Sequence, residues 1–153
     1  MVTGCLVIAV DGPAGSGKSS AARGVATELG LRYLDTGAMY RALTWWLLGQ
    51  DLDVGDPATV AGHARRPAIE VSTDPANPRV TVDGADVTGH IRTREVSNAV
   101  SAVASVPEVR AHLIARQQDI MARACATVAG SPTSRSWSSS HQVSARYIAP
   151  VSR

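Results

Sequence analysis

The chain has 153 residues, 44% of them hydrophobic and 18% charged, with a formal net charge of +2. That is the length of one ordinary domain, and the composition excludes intrinsic disorder; no run approaches the roughly 20 apolar residues of a membrane span. All 13 acidic residues precede residue 131, and Arg135, Arg146 and Arg153 follow it, so the mild basicity belongs to the C-terminal stretch and gives the body no basic patch for nucleic acid.

Met1 leads into a strand-like run without a basic n-region or a cleavage site, so no signal peptide is expected. Cys5 and Cys125 are too few for a disulfide framework and stand in no metal-ligand spacing. They read as reduced thiols of a cytoplasmic protein. Leu6 to Val10 is a short, continuous apolar run that suits a buried parallel strand. A Gly-rich loop follows it. Ser19 to Leu29 then carries small or apolar residues at helical spacing, with Gly30 placed to end the helix. Leu31 to Leu34 reads as a second strand. Thr36 stands where it can cap a helix running through Met39, Leu43 and Leu47 to Gly49.

The middle of the chain is punctuated by Pro57, Pro67, Pro75 and Pro78. Ile69–Ser72 and Val80–Val82 read as short strands, and Asp83-Gly84 as the turn after the second. Residues 58–92 are therefore expected to form a small inserted subdomain with a few antiparallel strands. A helix is expected from about Thr93 to Ala104. The next begins at Pro107 and carries Val109, Leu113, Gln117, Ile120 and Ala124 along one stripe. Thr127-Val128-Ala129 reads as the opening of a strand that is not completed. The run Ser131 to His141 is Ser-rich and has neither helical nor strand period, so residues 131–153 read as a flexible or aberrant tail. Trp45 and Trp46 read as packing residues, and His63, His90, His112 and His141 as surface residues.

The chemistry is concentrated in Gly12-Pro13-Ala14-Gly15-Ser16-Gly17-Lys18-Ser19, which fits the G-x-x-x-x-G-K-[ST] pattern. Glycines let consecutive backbone N–H groups turn inward as an anion nest. The helix that starts at Lys18 adds its partial positive charge. Lys18 can bridge terminal phosphates, and the Ser19 hydroxyl can ligate a Mg²⁺ bound to them. Ser20 extends the same first turn. Asp11 either helps to organise the metal shell or simply ends the strand. Such a loop states that phosphates bind; GTPases, ATPases, kinases and sulfotransferases all use one.

The stretch Ile8 to Ser19, followed by Leu34-Asp35-Thr36-Gly37-Ala38-Met39-Tyr40-Arg41, resembles the bacterial cytidylate kinases, as do Val87 to Ser101 and Pro107 to Arg110. The resemblance covers nearly all of residues 5–130. It implies an α/β fold of the P-loop nucleoside monophosphate kinase type, a parallel sheet with helices on both faces. It divides the chain into a kinase core at 1–57 and 93–130, an inserted monophosphate-binding subdomain at 58–92, and the tail at 131–153. It implies phosphoryl transfer from ATP, with Mg²⁺, to CMP or dCMP, in a soluble, monomeric enzyme with no nucleic-acid or membrane partner. ATP would lie on Gly12, Pro13, Ala14, Gly15, Ser16, Gly17, Lys18, Ser19 and Ser20, with Lys18 catalytic and Ser19 on the metal. Thr36, Tyr40, Arg41, Arg92, Ser101 and Arg110 would line the acceptor site. The residue types suit those roles. Arg41 and Arg110 can grip a phosphate bidentately, Ser101 can hydrogen-bond a pyrimidine edge, and Tyr40 can meet the base with its ring. Another P-loop kinase of small acceptors and a non-catalytic ATP-binding fragment are the alternatives.

The resemblance stops after Gly130, where the family is expected to continue with an apolar strand ending in Gly-Arg-Asp, then an arginine-bearing lid. Residues 131–153 are expected to be out-of-frame translation or a gene-prediction artefact. Only two strands of the parallel sheet, at 6–10 and 31–34, are expected, with an edge left open after Leu34.

Overall fold

The computed structural model describes residues 6–11, 16–124 and 126–130, together with the backbone of 142–146. Its elements are β1 (Leu6–Asp11), α1 (Lys18–Glu28), β2 (Arg32–Asp35), α2 (Thr36–Gly49), α3 (Pro57–His63), β3 (Ile69–Val71), β4 (Val80–Val82), β5 (Ala85–Asp86), a 3-10 turn at His90–Arg92, α4 (Arg94–Ser105), α5 (Pro107–Ala124), β6 (Ala126–Gly130) and β7 (Gln142–Arg146). The chain divides into two units. The first is Met1–Gly37, Thr73–Asn77 and Asp119–Arg153; the second is Ala38–Ser72 and Pro78–Gln118.

The first unit is built on a parallel sheet in the order β2-β6-β1-β7. In register, Ile8 lies beside Val128 and Val128 beside Tyr33. Side chains alternate between sheet faces, so these three form one row across three strands. Ala22 and Ala26 of α1, both fully buried, pack with Val10, Tyr33 and Val128, and Ile8 and Leu31 border that cluster. Two alanines one turn apart bring α1 close to the sheet. Ala9, Ala129 and Leu34 make the second row, on the opposite face, and all three are buried. Helix and sheet thus follow from the apolar run at 6–10 and the small-residue stripe on α1.

Two strand expectations are corrected. The strand opening at Thr127 is completed as β6, and it sits between β1 and β2 rather than beyond them. The five-residue run Ala126–Gly130 is short, but its Val128 and Ala129 are fully buried between two partners. Gly130, the last residue of β6, is followed by Ser131 and Pro132. Residues 131–153 were expected to hold no strand, yet 142–146 run parallel to β1, with Val7 beside Gln142 and Asp11 beside Arg146. Val143 and Ala145 alternate with Gln142, Ser144 and Arg146, a period of two masked by the Ser-rich run before it. The sheet thus has four strands where two were expected. The β2 edge is also partly covered: the Tyr33 N–H donates to the Thr73 carbonyl at 2.9 Å, and Arg32 Nη1 donates to Thr73 Oγ1 at 3.1 Å.

The second unit carries an antiparallel sheet in the order β3-β4-β5. The β4–β5 turn is Asp83-Gly84, with φ of 50° and 83° at its two central residues, the positive values that a two-residue hairpin turn requires. Ile69, Val80, Val82, Val87 and Ile91 are buried. Helix α3 was not anticipated. Asp56 accepts from the Ala58 and Thr59 N–H groups, and Pro57 occupies the first helical position, so the proline that reads as punctuation starts a helix. The expected stripe on α5 holds for Val109, Leu113 and Gln117, then passes to Met121. Among the described residues no helix is long and apolar enough to cross a membrane.

Candidate nucleotide site

The donor end is set by the junction into α1. Gly12, Pro13, Ala14 and Gly15 lie outside the described residues. Gly17 immediately precedes the helix with φ 81° and ψ 9°, a left-handed conformation that glycine adopts without a Cβ penalty. Among the described residues no side chain caps the helix, and its first turn contains no acid. The helix dipole adds positive potential there. Ser16, just before Gly17, has a buried hydroxyl with no partner among the described residues. Lys18 is the first helical residue and half-buried; Ser19 and Ser20 are exposed on the first turn. An acid-free helix start preceded by a buried hydroxyl without a partner among the described residues fits a phosphate anion. Ser19 has the type and exposure to meet a phosphate-bound cation.

Thr36 also belongs to the first unit. It is fully buried and its hydroxyl donates to the Gly130 carbonyl, which ties the β2–α2 junction to the end of β6. Its proton is therefore committed, and only its lone pairs remain for a ligand.

The remaining predicted acceptor residues lie in the second unit. Tyr40 and Arg41 are consecutive on α2. Arg41 Nη1 donates to Ser97 Oγ at 2.9 Å. Ser97 and Ser101 are one turn apart on α4, so Arg41 is held on the helix face that also carries Ser101. Sequence reasoning missed Ser97; the Ser97/Ser101 spacing on a helix was the available signal. Tyr40 is 4% exposed, and its hydroxyl has no partner among the described residues. Burial raises the Tyr40 pKa, and the positive charge of Arg110, in the first turn of α5, pulls partly against it. Tyr40 and Arg110 are thus electrostatic neighbours. Arg92 ends the 3-10 turn and is exposed. No hydrogen bond joins Ser101 to the other predicted residues among those described.

Trp45 and Trp46 are half-buried, and the Trp45 ring lies 6.3 Å from that of His90 at an interplanar angle of 34°. Two of the histidines expected at the surface are half-buried instead. His63 Nδ1 lies 2.7 Å from the Thr59 carbonyl, and His112 packs on α5. A carbonyl one helical turn back is within reach of any histidine at that spacing.

A parallel sheet whose first strand leads, through the Gly-rich stretch of the sequence, into helix α1 packed on that sheet is consistent with the P-loop nucleoside monophosphate kinase class of fold. Residues 8–131 match the family model described as cytidylate kinase. Among curated proteins, the chain is 55% identical over 119 residues to the cytidylate kinase of Streptomyces griseus, covering 78% of this chain and 52% of that protein. It is 50% identical over 119 residues to that of Nocardia farcinica, covering 78% and 51%, and 45% identical over 124 residues to that of Corynebacterium glutamicum, covering 81% and 54%. The chain belongs to the cytidylate kinase family. It spans about half the length of the curated relatives it matches.

Proposed function

We propose that these residues form the donor loop and part of the acceptor site of an enzyme that transfers the γ-phosphoryl group of ATP to CMP or dCMP. The observation that carries this reading is that Tyr40, Arg41 and Arg110 lie within one unit, with Arg41 fixed on Ser97, Arg110 an electrostatic neighbour of Tyr40, and the Tyr40 hydroxyl without a partner among the described residues. A guanidinium beside a buried phenol, with a second arginine at the next position of α2, suits a dianionic phosphate attached to a planar base. Thr36, Arg92 and Ser101 complete the proposed acceptor lining. Residues 58–92, with the antiparallel β3-β4-β5 sheet, are the proposed monophosphate-side insertion, and 1–57 with 93–130 the core.

In the reaction, an oxygen of the CMP phosphate attacks the γ-phosphorus of ATP. The new P–O bond forms as the bond to the β–γ bridging oxygen breaks, giving CDP and ADP. Little covalent work falls to the protein. The N–H groups opening α1, with residues 12–16 before them, hold the β- and γ-phosphates, Lys18 neutralises charge on the transferring group, and Arg41 and Arg110 align the acceptor. Mg²⁺, with Ser19 as a ligand, supplies charge neutralisation across the phosphates when bound. Such a reaction belongs to pyrimidine nucleotide metabolism in the cytoplasm.

Gly130 is followed by Ser131-Pro132, where the resemblance leads one to expect an Arg-Asp element further on. That observation favours a second reading for the 153 residues alone, nucleotide binding with little turnover, because one missing transition-state arginine costs about 10³–10⁵ in rate. ADP release with CMP, dCMP, UMP, AMP, dTMP and shikimate as acceptors separates the readings. Turnover preferring CMP or dCMP supports the kinase; ATP binding with no ADP release supports the binding fragment. Preference for AMP, dTMP or shikimate contradicts both.

A further inference from the structure

Arg41 is the one charged residue of α2. Met39, Tyr40, Ala42 and Leu43 around it are buried, and Arg41 itself is half-buried. A cation in such a setting ordinarily meets a carboxylate. Among the described residues none pairs with Arg41. Its Nη1 donates instead to Ser97 Oγ at 2.9 Å, across to a different helix. A neutral hydroxyl fixes the guanidinium without cancelling its charge.

The direction of that bond follows from the groups themselves. A guanidinium has donors and no acceptor, so Ser97 Oγ accepts. The other N–H groups of Arg41 make no hydrogen bond among the described residues. Ser97 is in turn well placed. Thr93 caps α4 by accepting from the Val96 N–H, and the Ser97 N–H donates to the Thr93 carbonyl at 3.0 Å. Val96 and Val103 bury the other face of the helix. Ser97 is exposed, so a solute can reach the place where it meets Arg41.

We propose that Ser97 is a positioning residue for the acceptor phosphate: it holds Arg41 by one N–H and leaves the remaining fork to the phosphate dianion of CMP or dCMP. The inference rests on the acceptor-site reading above and adds to it a residue outside the proposed lining. An ordered guanidinium can meet two phosphate oxygens at once. A long side chain released from Ser97 must first lose its rotamer freedom, and that cost falls on binding. The contribution of Ser97 is therefore specific to the phosphate. A nucleoside that lacks the phosphate gains nothing from it.

The test compares CMP with cytidine on the isotope-labelled 153-residue chain, with each titration followed by NMR and with melting curves to show that every variant is folded. Ser97→Ala should weaken CMP about five- to tenfold and leave the response to cytidine unchanged. Ser97→Thr, which keeps the hydroxyl, should restore most of the CMP affinity. A merely structural serine would weaken both ligands together, and that outcome overturns the inference. So does an unchanged CMP affinity in Ser97→Ala, or a Ser97→Thr variant no better than Ser97→Ala. Arg110→Ala separates the two readings: CMP binding that weakens in Arg110→Ala but not in Ser97→Ala overturns this inference and spares the acceptor site. An unaltered chain that binds no CMP overturns both.

Discussion

Tyr40 is a phenol whose ring is buried by the fold and whose hydroxyl has no partner among the described residues. Removing an unpartnered buried hydroxyl relieves a desolvation cost, so Tyr40→Phe should leave stability unchanged or raise it by up to about 1 kcal/mol. It should also weaken CMP binding if the hydroxyl meets the acceptor, and denaturant unfolding with CMP titration reads both. Burial raises the pKa of Tyr40, and this couples stability to alkaline pH. Stability held by the neutral phenol is present below its unfolded value, about 10, and is lost as pH rises through the folded one; Tyr40→Phe should abolish that alkaline loss. The acid side rests on Asp86, whose pKa falls to about 2 under hydrogen bonds from the Thr88 hydroxyl and N–H and from Arg79. Its contribution is present above the ordinary carboxylate value and lost as pH falls toward about 2. Unfolding curves between about pH 5 and pH 2 should be less steep in pH for Asp86→Ala than for the unaltered chain. Arg41 and Arg110 were proposed from the sequence because the motif around each carries them. Ser97 was not, because a serine on a helix acquires its meaning from the guanidinium that reaches it.

At the scale of elements, helices were the most legible part of the chain. Apolar spacing and end signals placed α1, α2, α4 and α5 within a residue or two of their observed bounds. Thr93 caps α4 by accepting from the Val96 N–H at 3.4 Å. Thr93→Ala should therefore cost about 0.5–1 kcal/mol and lower the melting temperature by a few degrees, as thermal unfolding followed by circular dichroism will show. The α3 helix was missed because Asp56-Pro57 has two meanings: a proline interrupts a helix in its interior but initiates one at its first position. Short strands were the least legible. Five residues of β6 contain little period, and their burial comes from β1 and β2, which lie about a hundred residues earlier in the chain. Pairing of that kind is a property of topology, which a local window does not contain.

At the scale of the whole molecule, β6 explains why the early part of the sequence reads as an incomplete sheet. β1 and β2 are consecutive strands that do not pair with each other, and the strand between them arrives only after α2 to α5. The Thr36 hydroxyl closes that arrangement by donating to the Gly130 carbonyl at the end of β6. The family match ends at residue 131, next to the Ser131-Pro132 pair. The tail reading of residues 131–153 predicts that another frame of the coding DNA past codon 130 encodes Arg-Asp directly after the glycine; its absence from every frame would count against an out-of-frame origin.

The most direct test of the account is calorimetric titration of the folded 153-residue chain with CMP, beside its Arg110→Ala variant, with melting curves to show that both are folded. A hydrogen-bonded charged contact contributes about 1.5–3 kcal/mol, so the account predicts saturable CMP binding that weakens roughly ten- to a hundredfold in the variant, and weaker binding of AMP to both. A folded chain that binds no CMP, or binds it equally well without Arg110, would contradict the acceptor site proposed for Tyr40, Arg41 and Arg110.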